Sequence, residues 1–284
     1  MKRRLSKLRK SALVAALLAA PAAFGARMPG DSLRPGFNLF SKEQDVALGQ
    51  EAAAEVRKQF PPVRNQFLQD YVRRIGDRLA DSPEARECGF RFTFTVVNRP
   101  EVNAFALPGG PMFVFTGLIQ SLDNEAQLAG AMAHEMSHVI LRHGTHEASK
   151  ANMLEIPLAL ASMVIGNRSF LGQVAKYGLN LGANSFILKF SRDAESEADA
   201  MGAHLMAEAG YDPIELARFF RKLQEAGGQG NTRLAQFLSD HPNPGNRVRA
   251  IEEEIQTMPR RRYGYETGDF ERAYAAMGPA RKRR

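Results

Sequence analysis

The chain has 284 residues, with 38 Lys and Arg against 31 Asp and Glu, a formal net charge of +7 and a single cysteine. This length supports one or two domains with a substantial core, and Cys88, having no partner, excludes an intramolecular disulfide, so stability must come from packing. Six basic residues fall within the first ten, so their removal would leave a net charge of about 7 − 6 = +1, and the basicity is no argument for a nucleic-acid partner.

Those six precede an uncharged, mostly apolar run, Ser11 to Ala26, which holds Leu13, Val14, Leu17 and Leu18. This is the layout of a secretory signal peptide, and cleavage after Gly25 would leave Ala23 and Gly25 at the two positions where small residues matter. The 16-residue run is shorter than the roughly 18 to 20 needed to span a bilayer. Residues 1–25 are therefore expected to be a signal peptide directing the protein to the periplasm, and residues 26–40, rich in Gly and Pro, a mobile lead-in.

Ser41, Lys42, Glu43 and Gln44 read as a capping box opening a helix that runs to about Phe60, where Pro61 and Pro62 end it. Phe67, Leu68, Tyr71, Val72, Ile75 and Leu79 recur at three- and four-residue spacing, the pattern of an amphipathic helix. Residues 91–97 alternate with period two and read as a half-buried strand. Asn103 to Leu107 and Met112 to Phe115 read as two more, joined across Pro108, Gly109, Gly110 and Pro111. A small antiparallel sheet is thus expected, and Asn103, Ala104 and Phe105 could offer a free edge on which an extended peptide adds as a further strand.

Asp123 or Asn124 would cap the next helix, and Gly144 would end it. It carries His134, Glu135 and His138. Residues four apart lie about 40° from one another around a helix, so both imidazoles can meet one ion, with Glu135 on the flank to take a proton from water that the metal activates. A polar His-Glu-x-x-His inside an otherwise apolar helix needs such an explanation. The metzincin continuation is excluded, because Leu141 and Gly144 stand where it requires Gly and His. His143, five residues beyond His138, would point away from the ligand face and takes no metal role. His146 and His204 have no evident partners.

Residues 153–188 read as apolar, glycine-interrupted helices that cover a cleft, touch a membrane surface or fill the core. Next, Glu195 and Asp199 share a helix face, while Glu197 falls about 200° round from Glu195 and reads as solvated. Glu195 is an ordinary third ligand for zinc after two histidines, and Asp199 could accept the free ring N–H of a ligating imidazole. His241, held extended by Pro242, could reach the metal as a fourth, inhibitory ligand, or donate to an oxyanion with Arg247. Residues 259–284 read as a frayed basic tail.

With these three segments in order, the chain resembles the gluzincin metallopeptidases of peptidase family M48, which include the CAAX prenyl endopeptidase, HtpX and BepA. The resemblance covers roughly Ser41 to Ile255, and Asn103 to Gly110 is similar to the family's strand ahead of the active-site helix. It implies His134, His138 and Glu195 as ligands of one Zn2+, Glu135 as general base, Asp199 as their support, and a closing role for His241. The chain departs from the family's membrane-spanning members in lacking several spanning helices, and from BepA in lacking a helical-repeat domain. The expectation is an α+β, mainly α zincin-like domain over residues 41–258 that cleaves misfolded or unassembled envelope proteins. A zinc-bound chaperone that holds such chains uncut is the rival reading. Peripheral membrane contact through residues 153–188 and the basic tail fits either.

Overall fold

The computed structural model describes residues 28–150, 190–227, 237, 241 and 245–278. Residues 1–25, expected to be a signal peptide, and the apolar stretch 153–188 lie outside the described residues. Helix α1, Lys42–Gln59, opens with the capping box: Gln44 N donates to the Ser41 side chain and Ser41 N donates to the Gln44 side chain. Such a cap contributes about 1 kcal/mol. Helix α2, Gln66–Ala80, buries the stripe of Leu68, Tyr71, Val72, Ile75 and Leu79. The five-residue helix α3, Pro83–Glu87, leads to the sheet.

The strands are β1 (Thr93–Val97), β2 (Ala104–Ala106) and β3 (Pro111–Phe115). The sheet expected to be antiparallel is mixed: its order is β1-β3-β2, with β3 antiparallel to β2 and parallel to β1. The reason lies in β3. All five of its residues are buried, and a continuously apolar strand is most stable in the middle of a sheet with both faces covered. Two chain reversals then leave β1 and β3 pointing the same way. The outer edge of β1 is closed by Gln69, whose amide takes a hydrogen bond from Val96 N at 2.9 Å and gives one to Val96 O at 2.9 Å. On the other side, α1 meets the β2–β3 turn at Gly49, where a Cβ would stand 1.7 Å from Pro108 O.

After the short helix α4, Thr116–Ile119, comes α5, Glu125–Ile140, buried along its whole length. Asn124 caps it, accepting from Gln127 N at 2.8 Å. It does not run to Gly144. Arg142 adopts φ +56, in the left-handed region, and helical backbone resumes over residues 143–150. Helices α6 (Arg192–Glu208), α7 (Ile214–Gly227) and α8 (Arg247–Thr257) wrap the other side of α5. Gly210, with φ +83, follows the α6 C-cap. The α5–α6 crossing is close because Gly202 lets backbones approach: a Cβ there would be 3.2 Å from His134 N.

Two segments read as peripheral lie against this domain. In the lead-in, Asn38 Nδ2 donates to Thr145 Oγ1 at 2.7 Å and Leu39 N to Ser149 Oγ at 2.9 Å. The expected frayed tail carries helix α9, Phe270–Ala276, with Ala273 buried. Just ahead of α9, Thr267 N donates to Glu125 at the start of α5 at 2.8 Å.

The start of α5 is also tied to α7. Asn124 and Gln127 amides donate to Glu215 Oε2 at 3.0 and 3.1 Å, and Arg218 pairs with the same carboxylate. Burial would raise the Glu215 pKa, but these donors outweigh it and hold the carboxyl below its ordinary value of 4.5. A depressed carboxyl pKa stabilises the fold above the unfolded value and loses that contribution as pH falls through the folded one. Glu215→Gln is therefore expected to lower stability by about 1 kcal/mol at pH 7. Urea titrations of variant and parent should converge at pH 3; a gap that widens there would contradict the assignment.

Candidate metal centre

The centre is built where α5 and α6 cross. His134, Glu135 and His138 come from α5, Glu195 and Asp199 from α6, Arg247 from the start of α8, and His241 from the segment before it. All seven are buried, none more than 3% exposed. His134 Nε2 and His138 Nε2 stand 3.2 Å apart. Glu195 reaches both, with Oε2 at 3.3 Å from the first and Oε1 at 3.6 Å from the second. His241 Nδ1 lies 3.3 Å from His134 Nε2 and 3.0 Å from Glu195 Oε1, while its Nε2 is 3.1 Å from Glu135 Oε1. Ligand atoms of His134, His138, Glu195 and His241 all fall within 4.8 Å of one another.

Behind the donors, Asp199 Oδ1 is 2.9 Å from His134 Nδ1. Arg247 grips both acids: Nε and Nη2 donate to Asp199 at 2.9 and 2.6 Å, and Nη2 is 3.2 Å from Glu195 Oε2. The guanidinium lies over the Phe220 ring, 3.5 Å from its centroid. Arg247 is thus chiefly a clamp on the carboxylates rather than a free oxyanion donor, with Nη1 its one buried nitrogen lacking a hydrogen-bond partner.

Charge and spacing both fit a divalent ion. Glu135, Glu195 and Asp199 are three buried carboxylates facing one guanidinium, so two positive charges are wanting. The rings respond. Burial opposes a charged His241, but Glu135 and Glu195 beside it push its pKa up to about 10. Burial likewise opposes protonation of His134, and Asp199 and Glu195 raise it nonetheless. His138 goes the other way, pushed well below its ordinary value by burial and by its histidine neighbours. Burial would raise Glu195, yet His241 and His134 hold it far below the usual carboxylate range. Donors about 2.0 to 2.2 Å from a tetrahedral zinc stand about 3.3 Å apart, and the separations among His134, His138 and Glu195 run from 3.2 to 3.6 Å. A nitrogen-and-carboxylate set at that spacing suits Zn2+, which would supply both missing charges and leave the imidazoles neutral.

Some neighbours were not legible in advance. Phe190 stacks on His138, with centroids 3.8 Å apart and planes at 16°. His143, expected to point away, has Nδ1 2.9 Å from His138 Nδ1, and its Nε2 is 3.0 Å from Glu197. In a continuous helix it would sit about 140° from His138; the break at Arg142 swings it back. His204 also has a partner, Glu254, at 2.9 Å. Asn103 and Ala104 are buried and Ala106 is half-buried, at the β2 edge of the sheet. A narrow cleft beside His138 is lined by Ala106, Pro108, Val139, Arg142 and Phe190.

A helix presenting two imidazoles and a carboxylate to one point, met by an acid from the helix crossing it, defines a metallopeptidase domain. Residues 66–255 match Peptidase family M48. The chain is 32% identical over 245 residues to "Mitochondrial metalloendopeptidase OMA1" of Schizosaccharomyces pombe, covering 84% of this chain and 68% of that protein. It is 29% identical over 251 residues to "Beta-barrel assembly-enhancing protease" of Yersinia pestis, covering 82% and 50%. The protein of that name in Escherichia coli K12 is 31% identical over 210 residues, covering 72% and 42%. This chain therefore spans about half or less of the two bacterial relatives. It belongs to peptidase family M48.

Removing the clamp should expose the cost of the buried acids. Arg247→Met leaves Glu195 and Asp199 without their guanidinium, and breaking such a buried pair costs about 3 to 5 kcal/mol. Denaturant unfolding in chelator should reveal a loss of this size, partly recovered on adding zinc. A variant as stable as the parent in chelator would contradict the clamp.

Proposed function

We propose that this domain is a zinc-dependent endopeptidase, holding one Zn2+ per chain, that cleaves misfolded or unassembled envelope proteins in the periplasm. The observation that carries the reading is the meeting of His134, His138 and Glu195 at donor spacing with Glu135 one residue along the same helix. A Zn2+ held there would supply Lewis acidity, polarising a scissile carbonyl and acidifying water. Glu135 would accept a proton from the attacking water and pass it to the leaving amine. His134 and His138 would donate through Nε2, kept in place by Asp199 and by the packing of Phe190.

His241 stands between Glu135 and Glu195, in the space that water and a carbonyl would use. That placement supports a resting role in which His241 closes the site, so that turnover would require this ring to leave. An extended substrate backbone would add along β2 at Asn103, Ala104 and Phe105, with one side chain directed to the cleft beside His138. The export signal expected in residues 1–25 and the name borne by the two bacterial relatives favour envelope substrates. No helix among the described residues is long and apolar enough to cross a membrane.

The test is Glu135→Gln. The variant should bind zinc as the parent does while its cleavage of an unfolded substrate such as casein falls by at least about a hundredfold, and chelator should abolish the parent's activity. Undiminished cleavage by Glu135→Gln, or activity insensitive to chelator, would overturn the reading.

A further inference from the structure

The ring of His138 has a second edge, and that edge is occupied. His138 Nδ1 and His143 Nδ1 are 2.9 Å apart, and His143 Nε2 is 3.0 Å from Glu197 Oε2. His143 is 3% exposed, whereas the Glu197 side chain is 38% exposed. The three groups thus form a chain from the metal centre to the surface. Two ring nitrogens at hydrogen-bond distance require a proton on one and a lone pair on the other.

We propose that His143, backed by Glu197, is a positioning residue that locks His138 in the tautomer whose Nε2 lone pair faces the metal; this rests on the zinc reading above. With His143 neutral, one arrangement of protons satisfies every contact. The Glu197 carboxylate only accepts, so His143 carries its proton on Nε2. A neutral His143 then presents a lone pair at Nδ1, which accepts the Nδ1–H of His138. Nε2 of His138 is left unprotonated, and it is this nitrogen that stands 3.2 Å from His134 Nε2 and 3.6 Å from Glu195 Oε1. The two rings are therefore oriented by different means: His134 by the carboxylate of Asp199 directly, His138 by a carboxylate acting through an imidazole.

The backbone bears a cost for this placement. A left-handed φ at a non-glycine residue is unfavourable, and Arg142 has φ +56. It is held there by its own side chain, which donates from Nε to Asp45 Oδ2 at 2.6 Å and also bonds Phe40 O. Without that break His143 could not return to His138. Phe190 stacked on the face of His138 restricts the ring's plane, and His143 then selects the tautomer within it.

The test is zinc affinity of the full-length chain, by competition with a chromophoric chelator, together with 15N NMR of the histidine rings. His143→Phe keeps the ring volume but removes the acceptor, and is expected to weaken zinc binding by roughly 10- to 100-fold, with loss of the exchange-protected Nδ1–H signal of His138. His143→Asn keeps an oxygen acceptor close to the Nδ1 position and should restore affinity to within about fivefold of the parent, while Glu197→Ala should fall between the two. Should His143→Phe fail to fold, the Asn and Glu197→Ala variants carry the comparison. Failure of the parent to bind zinc would sink the metal reading itself. A parent that binds zinc, with His143→Phe or Glu197→Ala binding it equally well and the His138 signal unchanged, would overturn the relay alone. So would His143→Asn binding as poorly as His143→Phe.

Discussion

The arrangement depends on a charge imbalance sealed inside the protein. Glu135, Glu195 and Asp199 are buried together with, among the described residues, only Arg247 as a permanently charged counterpart. Carboxylates are not left in that condition without compensation, because desolvating each costs several kcal/mol. These acids draw His134 and His241 toward protonation. A divalent ion would provide that compensation more simply and leave both α5 imidazoles as neutral ligands. The close crossing of α5 and α6 serves this end, since Gly202 brings the α6 backbone against His134 and lets two short acidic side chains reach across.

The rest of the domain holds that crossing in register. α5 is tied at its start by Glu215 from α7 and by Thr267 ahead of α9. At its far end Arg142 fastens the helix break to Asp45 in α1 and to Phe40 O. The chain's outer segments are therefore structural parts of the catalytic unit. Residues 28–40 and 259–278, which composition marks as lead-in and tail, make scattered contacts, among them Asn38 with Thr145, the ion pairs Arg74–Asp269 and Arg261–Glu208 and the Tyr265 ring against Tyr211, and such contacts leave no periodic trace in sequence.

Much of the site could be read from spacing because its ligands obey helix geometry. His134 and His138 four apart, and Glu195 and Asp199 four apart, each share a face by the same rule. The capping box at Ser41 and the apolar stripe of α2 are equally local and equally legible. What escaped the sequence was set by tertiary context. The sheet reads from sequence as antiparallel rather than mixed because β3 is buried on both faces, a property that β1 and β2 determine as much as β3 does. His143 and Glu197 were assigned outward positions by extrapolating regular helices, and one left-handed residue, Arg142, invalidated the first of those extrapolations. Glu197 does stay off the ligand face, as its angle requires, but His143 comes to meet it.

The central claim is that two imidazoles of α5 and a carboxylate of α6 enclose one ion. Crystals of the purified chain, with diffraction collected on both sides of the zinc absorption edge, test it most directly. The account predicts a single anomalous peak about 2.0 to 2.2 Å from His134 Nε2, His138 Nε2 and a Glu195 oxygen. Absence of a peak from zinc-replete protein, or a peak that Glu195 does not touch, would contradict it.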